Sequence, residues 1–210
     1  MLFEWVTPRL IESSGFQVRP AHFVERHGLV VIVAIGESVV AVGIGAAGLP
    51  IDAELAGVAV LGLVLSACLW WTYFGSDNDE QAERALTAAG PERRPTMAVD
   101  AYGVWHLPIL YGIVAIASAL RHSTGHAFDS LHTAQALALG GGVALFLAGD
   151  VLFRRTLGIG RGGGWRAGAA LVALGTIPLG TGVAAAAQLA ALVAVVGFAL
   201  VGERRVVAAR

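Results

Sequence analysis

Residues 21–45 carry the feature that most constrains the fold: a polar start followed by an apolar run long enough to cross a bilayer. An acidic residue, Glu37, lies in the middle of that run and is followed by Ser38. A carboxylate at the centre of a transmembrane helix costs roughly 3 kcal/mol on insertion scales. The sequence therefore predicts that Glu37 either has a function in the membrane or pairs with another group there.

His22, Arg26 and Glu37 share one face of this predicted helix. Arg26 and Glu37 are about three turns apart, or roughly 16 Å along the helix axis. Because they cannot pair with each other, each is predicted to find a partner on another segment. The predicted ion-pair or gating residues are His22, Glu25, Arg26, Asp100 and Arg154.

The composition is that of a polytopic membrane protein. The 210 residues are 56% hydrophobic and 14% charged, and the mean hydropathy is +0.72. A formal net charge of −1 gives no support to nucleic-acid binding. The single cysteine, Cys68, excludes a disulfide or a thiolate metal site within one chain. No cofactor motif is present, and no cofactor is predicted.

Six apolar runs predict an all-α membrane protein with about six transmembrane helices in one bundle, residues 21–203. Residues 1–20 form an amphipathic segment, either an interfacial anchor or the end of an upstream helix, and residues 204–210 form a basic cytoplasmic tail. Pro108 is predicted to kink the third helix. The predicted helices are residues 28–47, 53–74, 99–120, 132–153, 163–178 and 183–202.

The arginines predict the orientation. If the helices alternate in direction, thirteen of the 14 arginines lie on the side that holds both termini, and Arg121 alone lies on the other. The positive-inside rule then predicts a multi-pass membrane protein with cytoplasmic N- and C-termini. It also favours a full crossing by the short run 163–178, since a re-entrant segment would place the C-terminal arginines outside.

Two further patterns concern helix packing. Residues 34–37 resemble residues 147–150 three helices later, which suggests an inverted 3+3 repeat. Small residues along the first two helices, among them Gly36, Gly43, Gly45 and Gly62, suit close helix contacts.

Polar residues inside the predicted spans outline a candidate site. The intramembrane functional candidates are Glu37, Ser38, His106 and Asp150. In the functional interpretation a cytoplasmic polar funnel is formed by Arg26, Asp100, His106, Asp150 and Arg154. Glu37 lies at its inner end as the deep protonatable group, and His106 is its relay. In the structural interpretation they are buried ion pairs that fix helix register, Asp150 with Arg154 being one such pair.

The external loop holds the weak metal candidates His122, His126 and His132. Gly125 interrupts helical spacing between them, so no metal site is predicted. No arrangement of a nucleophile, a histidine and an acid is evident, and the chain is predicted not to be an enzyme.

Four segments carry a family resemblance: HFVERHGLVVIVAIGES (22–38), WWTYFGSDNDEQAERAL (70–86), HLPILYGIVAIASALRH (106–122) and ALFLAGDVLFRRTLG (144–158). The chain resembles the C-terminal half of the bacterial low-temperature-requirement A (LtrA) membrane proteins. The resemblance implies relatives about twice as long that begin with a further acidic helix of the ELFFDL type. The chain is therefore expected to be a short version or a half, and to form a homo-oligomer or to pair with the missing N-terminal half.

Three functions follow as hypotheses. The leading one is an ion- or proton-coupled transporter or channel-like carrier of an unknown small molecule or ion, using Glu37. The alternative is a non-transporting membrane component involved in envelope integrity or low-temperature adaptation. The third is an intramembrane enzyme that uses Glu37 and His106.

Overall fold

The computed structural model describes residues 18–75, 78–160 and 163–208, so most of the predicted N-terminal segment 1–20 lies outside the described residues. The described part of the chain contains helices and no strands, which confirms the all-α prediction. The helices are α1 (Pro20–Ala46), α2 (Ala53–Phe74), α3 (Asn78–Ala88), α4 (Arg93–Ala98), a π-helical segment (Val99–Trp105), α5 (His106–Ser123), α6 (Thr133–Leu157), α7 (Gly163–Gly175), α8 (Ile177–Gly182) and α9 (Ala185–Ala208).

Local sequence explains where the long helices begin and end. Pro20 occupies the first turn of α1, where its missing N–H removes no helical hydrogen bond. Asp52 caps α2 by accepting a hydrogen bond from the Leu55 amide over 2.8 Å. Gly158 ends α6 with φ +67°, a left-handed conformation that favours glycine.

The third predicted span is a continuous helical stretch, Arg93–Ser123. Before Pro108 it changes from α-helical to π-helical geometry and back. A proline ring clashes with the carbonyl group four residues earlier, which here belongs to Val104. Val104 lies in the π-helical segment, whose wider turn accommodates that carbonyl. The predicted disturbance at Pro108 therefore takes the form of a π-helix that ends at Trp105, next to His106.

Five helical stretches of the described chain are long and apolar enough to span a membrane by themselves. The sixth predicted crossing is made by α7 and α8, which are separated at Thr176. The side chain of Arg166 bonds to the Thr72 carbonyl at the end of α2, whereas the Gly180 carbonyl bonds to the Leu131 amide before α6. The two short helices together thus connect opposite ends of the bundle, over roughly 30 Å for 20 residues.

The six crossings form a closed ring. α1 contacts α2 and α5, α6 contacts α5 and α7, and α9 contacts α7 and α2. Large buried side chains fill the ring, including Leu65, Leu69, Ile113, Phe146 and Leu189. The predicted inverted repeat stays a prediction, as do the domain boundaries.

α5 and α6 pack closely through a pair of glycines. A Cβ atom added to Gly112 would lie 2.6 Å from the carbonyl oxygen of Gly142, and one added to Gly142 would lie 2.8 Å from that of Gly112. Gly45 and Gly62 also face neighbouring helices closely, whereas Gly36 and Gly43 have no neighbouring atom within 4 Å.

Candidate functional site

His106 is the buried polar side chain whose environment is hardest to explain by packing alone. It is the first residue of α5, directly after the π-helical segment, and is 2% exposed. Neither ring nitrogen forms a hydrogen bond of good geometry with a described residue, and the backbone of His27 offers at most a weak one. A buried polar group without a partner costs about 1–3 kcal/mol. Such a group is typical of a position that meets a proton, a water molecule or a ligand during function.

Aromatic rings from four helical elements surround His106. The ring centroids of His27, Tyr102, Tyr73 and Phe153 lie 5.6, 5.6, 5.7 and 5.9 Å from its own. These five residues are called the histidine cluster below. The Tyr102 hydroxyl is also buried without a hydrogen-bond partner among the described residues. The histidine cluster thus combines an apolar wall with polar groups that have no partner.

His27 has a defined proton position. Its Nδ1 lies 2.8 Å from the Phe23 carbonyl oxygen, and a carbonyl only accepts hydrogen bonds. Nδ1 therefore carries the proton, and in the neutral ring Nε2 is available to accept another. With its ring perpendicular to that of His106, His27 is a candidate for exchanging protons with it.

A network of four charged side chains adjoins the histidine cluster. Arg154 Nε bonds to Asp150 Oδ2 over 3.0 Å, and Arg166 bonds both to Asp150 and, over 2.7 Å, to Glu203. These four residues are called the ionic cluster. Their side chains are at most 14% exposed, and the two positive charges balance the two negative ones.

Uncharged acceptors complete the ionic cluster. The Thr72 carbonyl oxygen accepts a hydrogen bond from Arg154 and another from Arg166, each over 2.9 Å. This carbonyl belongs to the last turn of α2, where carbonyl groups lack helical partners and carry the negative end of the helix dipole. The Asn78 side chain accepts a further bond from Arg154 over 3.0 Å. The ionic cluster therefore ties α2, α3, α6, α7 and α9 together at one end of the bundle.

The structure brings together some of the predicted site residues. Asp150 and Arg154 form the predicted pair, and His106 lies nearby, because Phe153 contacts it from the same helix α6. Asp100 lies in the π-helical segment and is half-buried. His106 and the ionic cluster thus occupy the same end of the bundle.

The polar residues of α1 lie elsewhere. His22 and Glu25 are 3.9 Å apart with both side chains exposed, and Arg26 is exposed beside them. Glu37 is exposed on the outer face of α1, while the neighbouring Ser38 is fully buried with its hydroxyl unpartnered among the described residues. The predicted funnel therefore does not contain Glu37.

The three histidines that were weak metal candidates share a pocket at the other end of the bundle. His122, His126 and His132 line a cavity of about 470 Å³ together with Arg121 and Asp129. His126 pairs with Asp129 over 3.0 Å. No set of three potential ligands in the described ranges has an arrangement that could hold a metal ion.

A second cavity, about 650 Å³, lies on the outer surface between α7 and α9. It is large enough for part of an amphiphilic molecule. Its lining contains only glycine and apolar side chains, among them Gly168, Val172 and Phe198. It offers no acid, base or nucleophile for chemistry.

Six residues of the two clusters were not predicted as site residues: His27, Tyr73, Tyr102, Phe153, Arg166 and Glu203. Their partners come from segments distant in sequence, so spacing along the chain does not reveal them. The available signal was indirect, since an isolated arginine in the apolar segment of α7 and an acid near the end of α9 needed partners inside the bundle.

Comparison with known proteins identifies the relatives of this chain. The family model described as "Bacterial low temperature requirement A protein (LtrA)" matches residues 1–201. An uncharacterized protein of Rhizobium meliloti (strain 1021) is 30% identical over 171 residues, which cover 72% of this chain and 40% of that relative. The chain thus spans less than half of the relative's length. No solved structure matches the chain significantly.

Proposed function

Since the chain belongs to the LtrA family of bacterial membrane proteins, we propose that it is a carrier that couples the movement of a small molecule or ion to protons. The proposal keeps the transport function predicted from the sequence and places the proton-binding group at His106 instead of Glu37. The role predicted for Glu37 in transport stays a prediction.

The observation that carries this proposal is the unpartnered imidazole of His106 inside a multi-pass bundle. An imidazole can both accept and release a proton at its ring nitrogens, so it suits a reversible proton-binding site. When protonated, its ring would be attracted to the π faces of neighbouring aromatic rings, whose centroids lie within 6 Å. The adjacent π-helical segment supports the same interpretation, because such segments are frequent at functional sites.

The proposed cycle uses protonation and local rearrangement. Because the histidine cluster can open towards either side with or without the transported molecule, a proton can also cross alone. His106 receives a proton when the histidine cluster opens towards one side of the membrane and releases it when the cluster opens towards the other. His27, with Nε2 free to accept, passes protons between His106 and the end of the bundle that holds Arg19 and the ionic cluster. The fully paired ionic cluster keeps that end of the ring assembled during the cycle.

The proposed location is the inner membrane, with both termini in the cytoplasm. The support is the distribution of arginines: those of the described chain cluster at the end that holds the ionic cluster, and Arg121 lies at the other. The histidine cluster would then lie in the cytoplasmic half of the bundle.

Proton flux through purified protein in liposomes tests the proposal. An imposed pH gradient, followed with a trapped pH-sensitive dye, should decay faster with the wild-type chain than in protein-free liposomes. His106→Phe should abolish the difference, whereas the matched variant His122→Phe at the exposed external histidine should retain it. A wild-type protein that leaves the gradient unchanged, or a His106→Phe variant with wild-type flux, would contradict the proposal.

The second candidate function is a non-transporting membrane component. The observation that favours it is the complete pairing of the ionic cluster, because paired buried charges are common structural devices. In that case the protein does not change the rate at which the pH gradient decays in liposomes. Cells that carry His106→Phe then grow normally under conditions in which growth requires the wild-type gene.

A further inference from the structure

Glu37 occupies a place in the membrane that a single copy of this chain does not explain. It is exposed near the middle of α1 and has no hydrogen bond or ion pair to any residue that the structure describes. The buried face of α1, which includes Val31, Ile35 and Val42, points the opposite way. The exposed face of such a helix meets lipid tails, which offer no partner for a carboxyl group. Something other than lipid is therefore needed beside Glu37.

The residues around Glu37 form a regular seam. Successive members are separated alternately by four and three positions, and every one of them is exposed. The outer seam of α1 consists of Arg26, Val30, Val33, Glu37, Val40 and Ile44. This alternation is the pattern by which two helices pack along a shared left-handed seam.

The residue types within the outer seam favour two parallel helices. Val30, Glu37 and Ile44 repeat every seven residues, as do Val33 and Val40, and in a parallel pair the residues of both sets face their own equivalents. Valine and isoleucine at such positions favour two-stranded packing, and one polar residue among them fixes the register. The seam therefore matches a copy of itself.

The flanks of the outer seam permit a close approach. Gly36 and Gly43 border it, and an added Cβ atom at either position would meet nothing within 4 Å. Small residues of this kind allow transmembrane helices to come close together. By contrast, Gly45 on α1 is already in contact with α5.

We propose that the outer seam of α1 pairs with the same seam of a second copy of this chain around a two-fold axis normal to the membrane. All copies insert with the same orientation, so the two α1 helices run parallel and the two Glu37 side chains meet at the same depth. Each carboxyl group then has the other as a hydrogen-bonding neighbour, which lipid cannot provide. The side chain that faces lipid in one copy thereby becomes an internal contact of the dimer.

Disulfide formation in native membranes tests the pairing with matched positions. Cys68 is first replaced by alanine, and a single cysteine is then placed at Val40 on the seam or at Val39 beside it, two exposed valines at almost the same depth. Oxidation should give a disulfide-linked dimer for Val40→Cys at a yield at least tenfold above that for Val39→Cys. Val33→Cys should behave as Val40→Cys.

Equal yields at Val39 and Val40 would overturn the proposal. So would an absence of dimer from all seam positions in chains that are inserted normally, or a cross-link from Val40 to a different protein. Substitutions of Glu37 in the Val40→Cys background provide a second readout. Glu37→Gln keeps a hydrogen-bonding side chain and should retain the cross-link, whereas Glu37→Arg places two fixed like charges together and should remove it.

Discussion

Arg166 on α7 donates a hydrogen bond to Asp150 on α6, and neither side chain is more than 5% exposed. Asp150 also accepts from Arg154, so a single carboxylate is shared by two buried guanidinium groups. Without the charge of Asp150, Glu203 would be the one negative charge left in the ionic cluster to balance two guanidinium groups. Asp150 is therefore the member of the ionic cluster on which the others depend most.

The first prediction concerns this shared carboxylate. Asp150→Asn should lower the free energy of unfolding by about 3–5 kcal/mol, because it leaves buried charge uncompensated. Thermal unfolding in detergent measures the loss. Asp129→Asn is the control, since its pair with His126 is exposed and is worth at most about 1 kcal/mol. Equal stabilities for the two variants would show that the ionic cluster does not hold the bundle together.

The second prediction concerns the contact between α5 and α6. Gly142→Ala should cost about 1–3 kcal/mol, because its Cβ atom would lie 2.8 Å from a backbone oxygen that cannot move independently. Gly141→Ala, one residue away with open space around it, should be neutral or stabilising by up to about 1 kcal/mol. Thermal unfolding of both variants under the same conditions checks the difference. The reverse order of stability would exclude the close packing of these helices.

Sequence periodicity predicted where the helices lie along the chain, but not which face of each helix points into the bundle. The predicted second span coincides with α2, Ala53–Phe74, and the predicted i, i+4 pair of Asp150 with Arg154 is present. Both are local properties that a single segment determines. The direction in which Glu37 points is not local, because a transmembrane helix is apolar on every side and its sequence does not distinguish the lipid face from the core face.

The histidine cluster also depends on contacts between helices that the sequence does not reveal. His106 was a candidate because it is a polar residue within an apolar run. Its neighbours His27 and Tyr73 come from α1 and α2, and only the order of helices in the ring brings them to it. Without the contacts between helices, no spacing rule connects these residues.

The third prediction addresses the unpartnered hydroxyl of the histidine cluster. Tyr102→Phe removes a buried O–H that has no hydrogen bond among the described residues, so it should leave stability unchanged or raise it by about 1 kcal/mol. Tyr111→Phe, at a tyrosine that is 57% exposed, is the matched control and should have no effect. A clear loss of stability in Tyr102→Phe alone would mean that this hydroxyl has a partner in the folded protein.

The fourth prediction concerns orientation in the membrane. In a Cys68→Ala background, cysteine at position 126 should react with a membrane-impermeant maleimide added outside intact spheroplasts, and cysteine at position 84 should react only after lysis. The reason is the arginine asymmetry between the two ends of the bundle. Labelling of position 84 from outside, with position 126 protected, would show that the orientation is the reverse of the predicted one.

The last prediction separates Glu37 from the ionic cluster. Glu37→Gln keeps the size and the hydrogen-bonding capacity of the side chain, and no described residue forms an ion pair with Glu37. Its effect on the free energy of unfolding should therefore stay within about 0.5 kcal/mol, because glutamine can still form a hydrogen bond across the seam and no buried cation loses its partner. Asp150→Asn, unfolded in the same detergent, provides the contrast of a carboxylate whose charge is required. A loss of several kcal/mol for Glu37→Gln would place a cation beside Glu37 in the assembled protein, because only an unbalanced buried charge costs that much.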